Sequence, residues 1–134
     1  MATVIANLQR RYTDLDLNFM PHPVKKDVNK VVDEMAVINS VKNLILTNHY
    51  ERLFHPEIGS NVQKLLFDNM DSITSATLER EITDVIRNFE PRISVDYINI
   101  SPDFDDNTYQ ISMQFRILNK TEPVSIKFFL NRAR

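Results

Sequence analysis

Chemistry needs particular residue types at particular spacings, and this sequence offers only a few candidates. Asp103-Phe104-Asp105-Asp106-Asn107-Thr108 resembles the opening of a calcium loop, with oxygen ligands at its first, third and fifth positions. The pattern fails where such a loop needs glycine and Thr108 stands, and again where it needs glutamate and Gln114 stands. A polar hairpin turn is the expected reading. His49, Glu51, His55 and Glu57 gather imidazoles and carboxylates, but histidines six apart do not share a helical face, and no third ligand falls in register. They read as surface or packing residues. His22, between Pro21 and Pro23, has no partner in the pattern. Paired carboxylates could run glycoside hydrolysis, yet no acid sits in an apolar run that would raise its pKa as a general acid requires. Ser60 follows Gly59 outside any G-x-S-x-G context. Glu90-Pro91-Arg92 is different. A glutamate at a helix C-terminus opposes the macrodipole, at a cost of roughly 0.3–1 kcal/mol if uncompensated, and Pro91 locks the exit. The triplet is either a local salt bridge joining helix to strand or a preset charged fork aimed at another chain.

The elements that would position these residues follow from hydrophobic period. Asp14–Phe19 alternates with period two and reads as a short strand stopped by Pro21-His22-Pro23. Asp33 is placed to cap a helix running to about Asn48, with Ala36, Val37, Ser40, Val41, Leu44 and Ile45 as its apolar stripe. Tyr50–Ser60 lacks a clean period and reads as an ordered loop, with Leu53, Phe54 and Ile58 packed inward. Ser60 or Asn61 then opens a short helix through Leu65, Leu66 and Phe67. Thr74 or Ser75 caps a third helix ending at Glu90, with Leu78, Ile82, Val85, Ile86 and Phe89 buried. Glu79, Arg80, Asp84 and Arg87 make its wet face.

Beyond Pro91 the period changes to two. Ile93–Ile100 reads as a strand with a phase slip near Tyr97, as a bulge would give. Pro102–Asn107 reads as a turn. Tyr109, Ile111, Met113, Phe115 and Ile117 alternate without error, and after a turn over Asn119–Pro123, Val124, Ile126, Phe128 and Leu130 alternate with Ser125, Lys127, Phe129 and Asn131. Helices followed by a β-meander imply an α+β fold: an N-terminal extended strand, three helices, then an antiparallel meander with the helices on one face. A single domain over 1–134 is expected, with 1–32 as an extended N-terminal segment.

Composition narrows the function classes. Sixteen Lys and Arg against eighteen Asp and Glu leave a net charge of −2, which points to neither nucleic acid nor an anionic membrane. The one glycine, Gly59, cannot build a G-x-G-x-x-G or P-loop cradle. The absence of cysteine removes thiolate zinc sites, iron–sulfur clusters, disulfides and cysteine nucleophiles together. No cofactor is expected. No stretch approaches the roughly 18 apolar residues of a membrane span, and the N-terminus lacks the order of a secretory signal. The expectation is a soluble protein made in a cytoplasm.

Several separated segments, in order, resemble one family. Leu44-Ile45-Leu46-Thr47, Glu51-Arg52-Leu53-Phe54-His55-Pro56-Glu57-Ile58-Gly59-Ser60, Leu65-Leu66-Phe67-Asp68-Asn69-Met70 and Glu90-Pro91-Arg92-Ile93 look like the small baseplate wedge protein of contractile-tailed phages. This sheath initiator is often labelled "lysozyme-like", with relatives in type VI secretion and other injection baseplates. The resemblance spans about residues 33–130. It implies a non-enzymatic structural part of the virion tail, assembled in the host cytoplasm, one copy in each wedge of a six-fold ring. Its implied partners are the helical core bundle of the larger wedge proteins, met through Glu90, Pro91 and Arg92, and the first ring of tail sheath. No catalytic pair maps onto this sequence. A tail-associated peptidoglycan hydrolase and a baseplate part of a type VI-like secretion system are the alternatives.

With that resemblance, the final strand becomes the expected sheath contact by strand addition, involving Val124, Ile126, Lys127 and Phe129. Lys127 suits an edge that must not self-associate. Phe129 is a large apolar side chain on the outer face, which either an arriving strand or the chain's own Asp14–Phe19 strand would cover. The corner has no obvious partner within the chain, so alanine at Glu90 or Arg92 is expected to spare the fold.

Overall fold

A computed structural model describes residues 12–16, 18–21, 23–28, 30–118 and 120–132. In chain order it has β1 (Thr13–Leu15), β2 (Lys30–Val32), α1 (Glu34–Leu46), α2 (Val62–Leu65), α3 (Ser72–Phe89), β3 (Ile93–Asp103), β4 (Thr108–Ile117) and β5 (Pro123–Asn131). The α+β order expected from the sequence is the order observed. β1 and β2 form a separate antiparallel pair, and β3-β4-β5 form the meander.

The meander follows its alternation. Tyr109, Ile111, Met113, Phe115 and Ile117 are all buried and join Val124, Ile126 and Leu130 from β5 and Ile93, Ile98 and Ile100 from β3. Val37, Val41 and Ile45 of α1 and Leu78, Ile82 and Ile86 of α3 complete the same core. Each large apolar side chain fully buried here contributes roughly 1.5–3 kcal/mol. The bulge falls between Val95 and Tyr97, at the expected phase slip. It swings Tyr97 to the outer face, where it pairs with Gln114.

Both ends of the expected meander turns needed correction. β3 continues through Pro102 to Asp103, and β5 begins at Pro123. The ladder explains why. Arg132 N–H donates to Asn107 C=O at 3.1 Å, and Leu118 N–H donates to Arg92 C=O at 3.0 Å. Antiparallel pairing alternates inward and outward residues, so with the observed registers both Pro102 and Pro123 face away from β4. Neither costs the sheet a hydrogen bond.

The helix boundaries moved as well. α3 starts at Ser72 rather than at Thr74 or Ser75, because Asp71 is its cap and accepts the Thr74 N–H at 2.7 Å. Thr74 lies on the buried stripe instead, and Phe89 is only half-buried. α1 stops at Leu46, with the Thr47 N–H and hydroxyl both donating to Asn43 C=O. Asp33 occupies its N-cap position at φ 55°, and its side chain makes no capping bond; the Asp33 N–H is bound to Tyr12 C=O at 2.6 Å. The N-terminal strand is limited to Thr13–Leu15, and Phe19 has a φ of 50° that ends extended structure. α2 holds only Val62–Leu65, and Phe67 beyond it is exposed. The largest departure is Tyr50–Ser60: Leu53 and Phe54, expected inside, are exposed, while Ile58 is half-buried.

That segment is anchored at Gly59. Its φ is 150°, and a Cβ there would lie 2.6 Å from the Asn48 carbonyl carbon and 2.8 Å from the His49 nitrogen. Asn48 and Ser60 form a parallel bridge around it. Gly59→Ala should therefore cost about 2 kcal/mol, because both the conformation and the backbone contact must give. A urea melt reads this, and an unchanged midpoint would show that the base of the loop is slack.

Candidate functional site

The residues singled out for chemistry are scattered through the fold rather than gathered into one cleft. Ser60 is 1% exposed, and its hydroxyl donates to Ile45 C=O at 2.6 Å, a structural bond rather than a nucleophile's setting. Asp103 accepts the N–H groups of Asp105 and Asp106 at 3.1 and 3.4 Å, closing the β3–β4 hairpin as an Asx turn. His55 Nδ1 sits 3.2 Å from Glu57 Oε1, and Glu51 accepts the Asn48 N–H at 2.9 Å. Hydrogen bonds from the backbone and from His55 hold the exposed Glu57 carboxyl below its ordinary range. Among the described residues no three His, Asp or Glu are arranged to hold a metal. His22 lies outside the described residues.

Glu90 is the one buried carboxylate among the described residues, 3% exposed. It follows α3, its N–H donates to Ile86 C=O at 2.8 Å, and Pro91 turns the chain into β3. Arg92 Nε and Nη2 donate to Glu90 Oε1 and Oε2 at 2.5 and 2.7 Å. The Ser40 hydroxyl of α1 donates to Oε2 at 2.6 Å. The Arg92 guanidinium lies 5.3 Å from the Tyr12 ring centroid, a cation–π geometry. Burial alone would raise the Glu90 pKa, but the bonds from Arg92 and Ser40 and the arginine's charge bring it below its ordinary value. Glu90's hydrogen bonds, working against burial, raise Arg92, and the field of Asp14 adds to the effect. The corner therefore has partners within its own chain. It joins α1, α3, β3 and the segment before β1, which overturns the premise that the corner lacks partners within the chain, and alanine at either charge should destabilise the fold. Sequence reasoning missed Ser40, fifty residues upstream of Glu90, and Tyr12. Only the placement of Ser40 within an otherwise apolar stripe signalled a buried polar partner.

The second candidate is the β5 edge. Among the described residues β5 pairs with β4 alone, at the end of the sheet. By the alternation set above, Val124, Ile126, Phe128 and Leu130 turn their N–H and C=O groups toward β4, while Ser125, Lys127, Phe129 and Asn131 turn theirs outward. Val124 and Ile126 are buried and serve the core. Lys127 is exposed, and so is Phe129, at 63%. β1 pairs with β2 in a separate sheet, so it adds no strand to this edge.

Comparison with known proteins gives a consistent set. The sequence pattern of the baseplate wedge protein gp25 family matches residues 31–122. The baseplate wedge protein gp25 of Enterobacteria phage T4 is 32% identical over 120 residues, covering 90% of each chain. A protein described as a tail lysozyme from Geobacter sulfurreducens superimposes with a TM-score of 0.70 at 19% identity, over 75% of this chain and 92% of that one. A chain of the anti-feeding prophage baseplate gives 0.64 at 18% identity over 92% and 87%. A chain of the type VI secretion baseplate complex gives 0.63 at 16% over 75% and 93%. The three superpositions speak to the fold, and the first two comparisons to ancestry: the chain belongs to the gp25 baseplate wedge family.

Proposed function

We propose that this member of the baseplate wedge family is a non-enzymatic assembly part of a contractile tail. It binds the helical core bundle of the wedge through Glu90, Pro91 and Arg92, and it templates the first sheath ring through the β5 edge. One copy serves each wedge. Family membership over most of the chain carries the baseplate reading. The geometry supports the division of labour: the corner is rigid, with Pro91 exposed and Arg92 reaching solvent at 28%, while the β5 edge turns outward a backbone that no described strand pairs with, as strand addition needs. The pKa of the corner's buried carboxylate lies below its ordinary value, so Glu90 itself is not set up as the general acid of glycoside cleavage.

The test is reconstitution with purified wedge bundle proteins. Arg92→Ala is assayed at a temperature where circular dichroism shows it folded. Its bundle affinity should fall roughly thirtyfold or more, the consequence of removing a guanidinium that would pair with a carboxylate of the bundle, at about 2 kcal/mol or above. Sheath recruitment by bundle-free protein should be unchanged. Wild-type bundle affinity would reduce the corner to an internal staple, and clearing of peptidoglycan by the purified wild-type chain would overturn the non-enzymatic reading.

A further inference from the structure

Among the described residues, two buried side-chain atoms lack a hydrogen-bond partner: the Tyr109 hydroxyl and Arg132 Nε. A buried polar atom left unpaired forfeits its hydration with nothing in return, and native folds leave few of them. The sheet brings these two together. Tyr109 pairs with Leu130, and the next bonded rung joins the Arg132 N–H to Asn107 C=O at 3.1 Å. Alternation then puts Tyr109, Leu130 and Arg132 on the same, core-facing side. Tyr109 and Arg132 are diagonal neighbours across the ladder, about 7–8 Å apart and within reach of long side chains. Tyr109 is fully buried and Arg132 half-buried. Asp68 follows α2, Asp71 caps α3, and both are exposed. Burial raises the Tyr109 pKa, the charge of Arg132 opposes the rise, and those of Asp71 and Asp68 add to it. All four groups therefore share one neighbourhood. Among the described residues Arg132 makes no ion pair.

The donor set selects the ligand. A guanidinium Nε–H can only donate, and a phenolic hydroxyl both donates and accepts. An anion suits Arg132 but meets the carboxylates of Asp68 and Asp71. A cation suits those carboxylates but meets Arg132. Water accepts and donates with no charge of its own, and a polar site with two to four partners is where buried water is held. We infer that one ordered water molecule bridges Tyr109 and Arg132. It accepts from the Arg132 Nε–H and from the Tyr109 hydroxyl, with its own protons turned toward the acidic side formed by Asp68 and Asp71. The bridge links the last rung of β5 to the connection between α2 and α3, and so helps to hold the end of the edge strand. It is independent of what either face of the protein binds.

Urea denaturation of the full chain separates a wet site from a dry one by sign. Tyr109→Phe removes the hydroxyl and little else. With the water in place the variant leaves it one partner short, and the midpoint should fall. A dry hydroxyl is an orphan whose removal raises the midpoint, and that rise would overturn the inference. At position 132, glutamine sets an N–H where Nε stands without the charge, whereas methionine keeps the stem without the donor. Arg132→Gln should stay close to the wild-type midpoint, and Arg132→Met should fall as far as Tyr109→Phe. Equal losses in the glutamine and methionine variants would show that Arg132 acts through its charge, and the bridge would fail. The double variant Tyr109→Phe/Arg132→Met should lose less than the sum of the two single losses, because both remove partners of the same water. Full additivity would count against it. Hydrogen exchange locates the effect: the Arg132 amide should exchange several-fold faster in Tyr109→Phe, and an unchanged rate would show that the end of β5 does not depend on the bridge. A high-resolution crystal structure should place an oxygen about 2.7–3.2 Å from both Tyr109 Oη and Arg132 Nε. A protein atom in that place, or a direct Tyr109–Arg132 bond, would overturn the proposal.

Discussion

Arg92→Ala should lower stability by about 3 kcal/mol at neutral pH and reverse the direction in which Glu90 responds to acid. Removing one partner of a buried ion pair costs about 3–5 kcal/mol because the remaining charge is left uncompensated. The lower end applies here, since Ser40 still donates to the carboxylate. In the wild-type chain the Glu90 pKa lies below its ordinary value, so the folded state binds fewer protons than the unfolded one. That stabilisation is fully present above the unfolded pKa of about 4.3, and it is lost as pH falls through the folded value. Without Arg92, burial is the dominant influence left, and burial raises a carboxyl pKa. The folded state of the variant then binds more protons than the unfolded state, and its stability deficit shrinks as pH falls from neutral toward about 4.3. Urea denaturation of both proteins at pH 7.5 and pH 5 reads the difference. A deficit of equal size at both pH values would show that Glu90 is solvated, and the account of the corner as a buried staple would fail.

The same residues show what the sequence discloses and what it withholds. β4 and β5 were legible because a strand with one buried face must alternate, and Tyr109 through Ile117 do so without exception. The bulge was legible as a break in that alternation. Pro102 and Pro123 misled, because proline excludes a residue from a ladder only when its nitrogen faces the partner strand, and that parity is fixed by register rather than by composition. The start of α3 was displaced because the apolar stripe begins late, at Leu78, whereas the cap is set by Asp71 and the backbone N–H it accepts. Within the candidate site, the type and rigidity of Glu90-Pro91-Arg92 were legible, but its partners were not. Ser40 and Tyr12 reach it only through tertiary packing. Leu53 and Phe54 failed for a deeper reason. Hydrophobicity says that a side chain is better buried, without saying whether the fold leaves room for it, and an exposed apolar loop looks like core until its accessibility is known.

Lys127→Pro should leave the protein folded and abolish sheath initiation, whereas Ile126→Pro, one residue away, should unfold it. Ile126 is buried and turns its N–H to β4, so proline there removes a ladder bond and disturbs the core, at about 3 kcal/mol or more. Lys127 is exposed and turns its N–H outward, the direction in which the Pro123 ring nitrogen points at the start of the same strand. Proline at 127 takes nothing from the chain's own sheet and should cost within about 1 kcal/mol. It does remove a donor that an added strand would use and places a ring where that strand must lie. Backbone pairing would supply the affinity of such a contact, with Phe129 as its apolar side-chain contribution. Sheath polymerised on baseplates carrying Lys127→Pro should fall to background, with bundle binding intact. Hydrogen exchange gives the independent reading. In the free protein the amides of Ser125, Lys127 and Phe129 should exchange rapidly while those of Ile126 and Phe128 are slow, and sheath binding should protect the first set. If those outward amides are already protected in the free chain, the edge is filled from within and strand addition is not how the sheath begins.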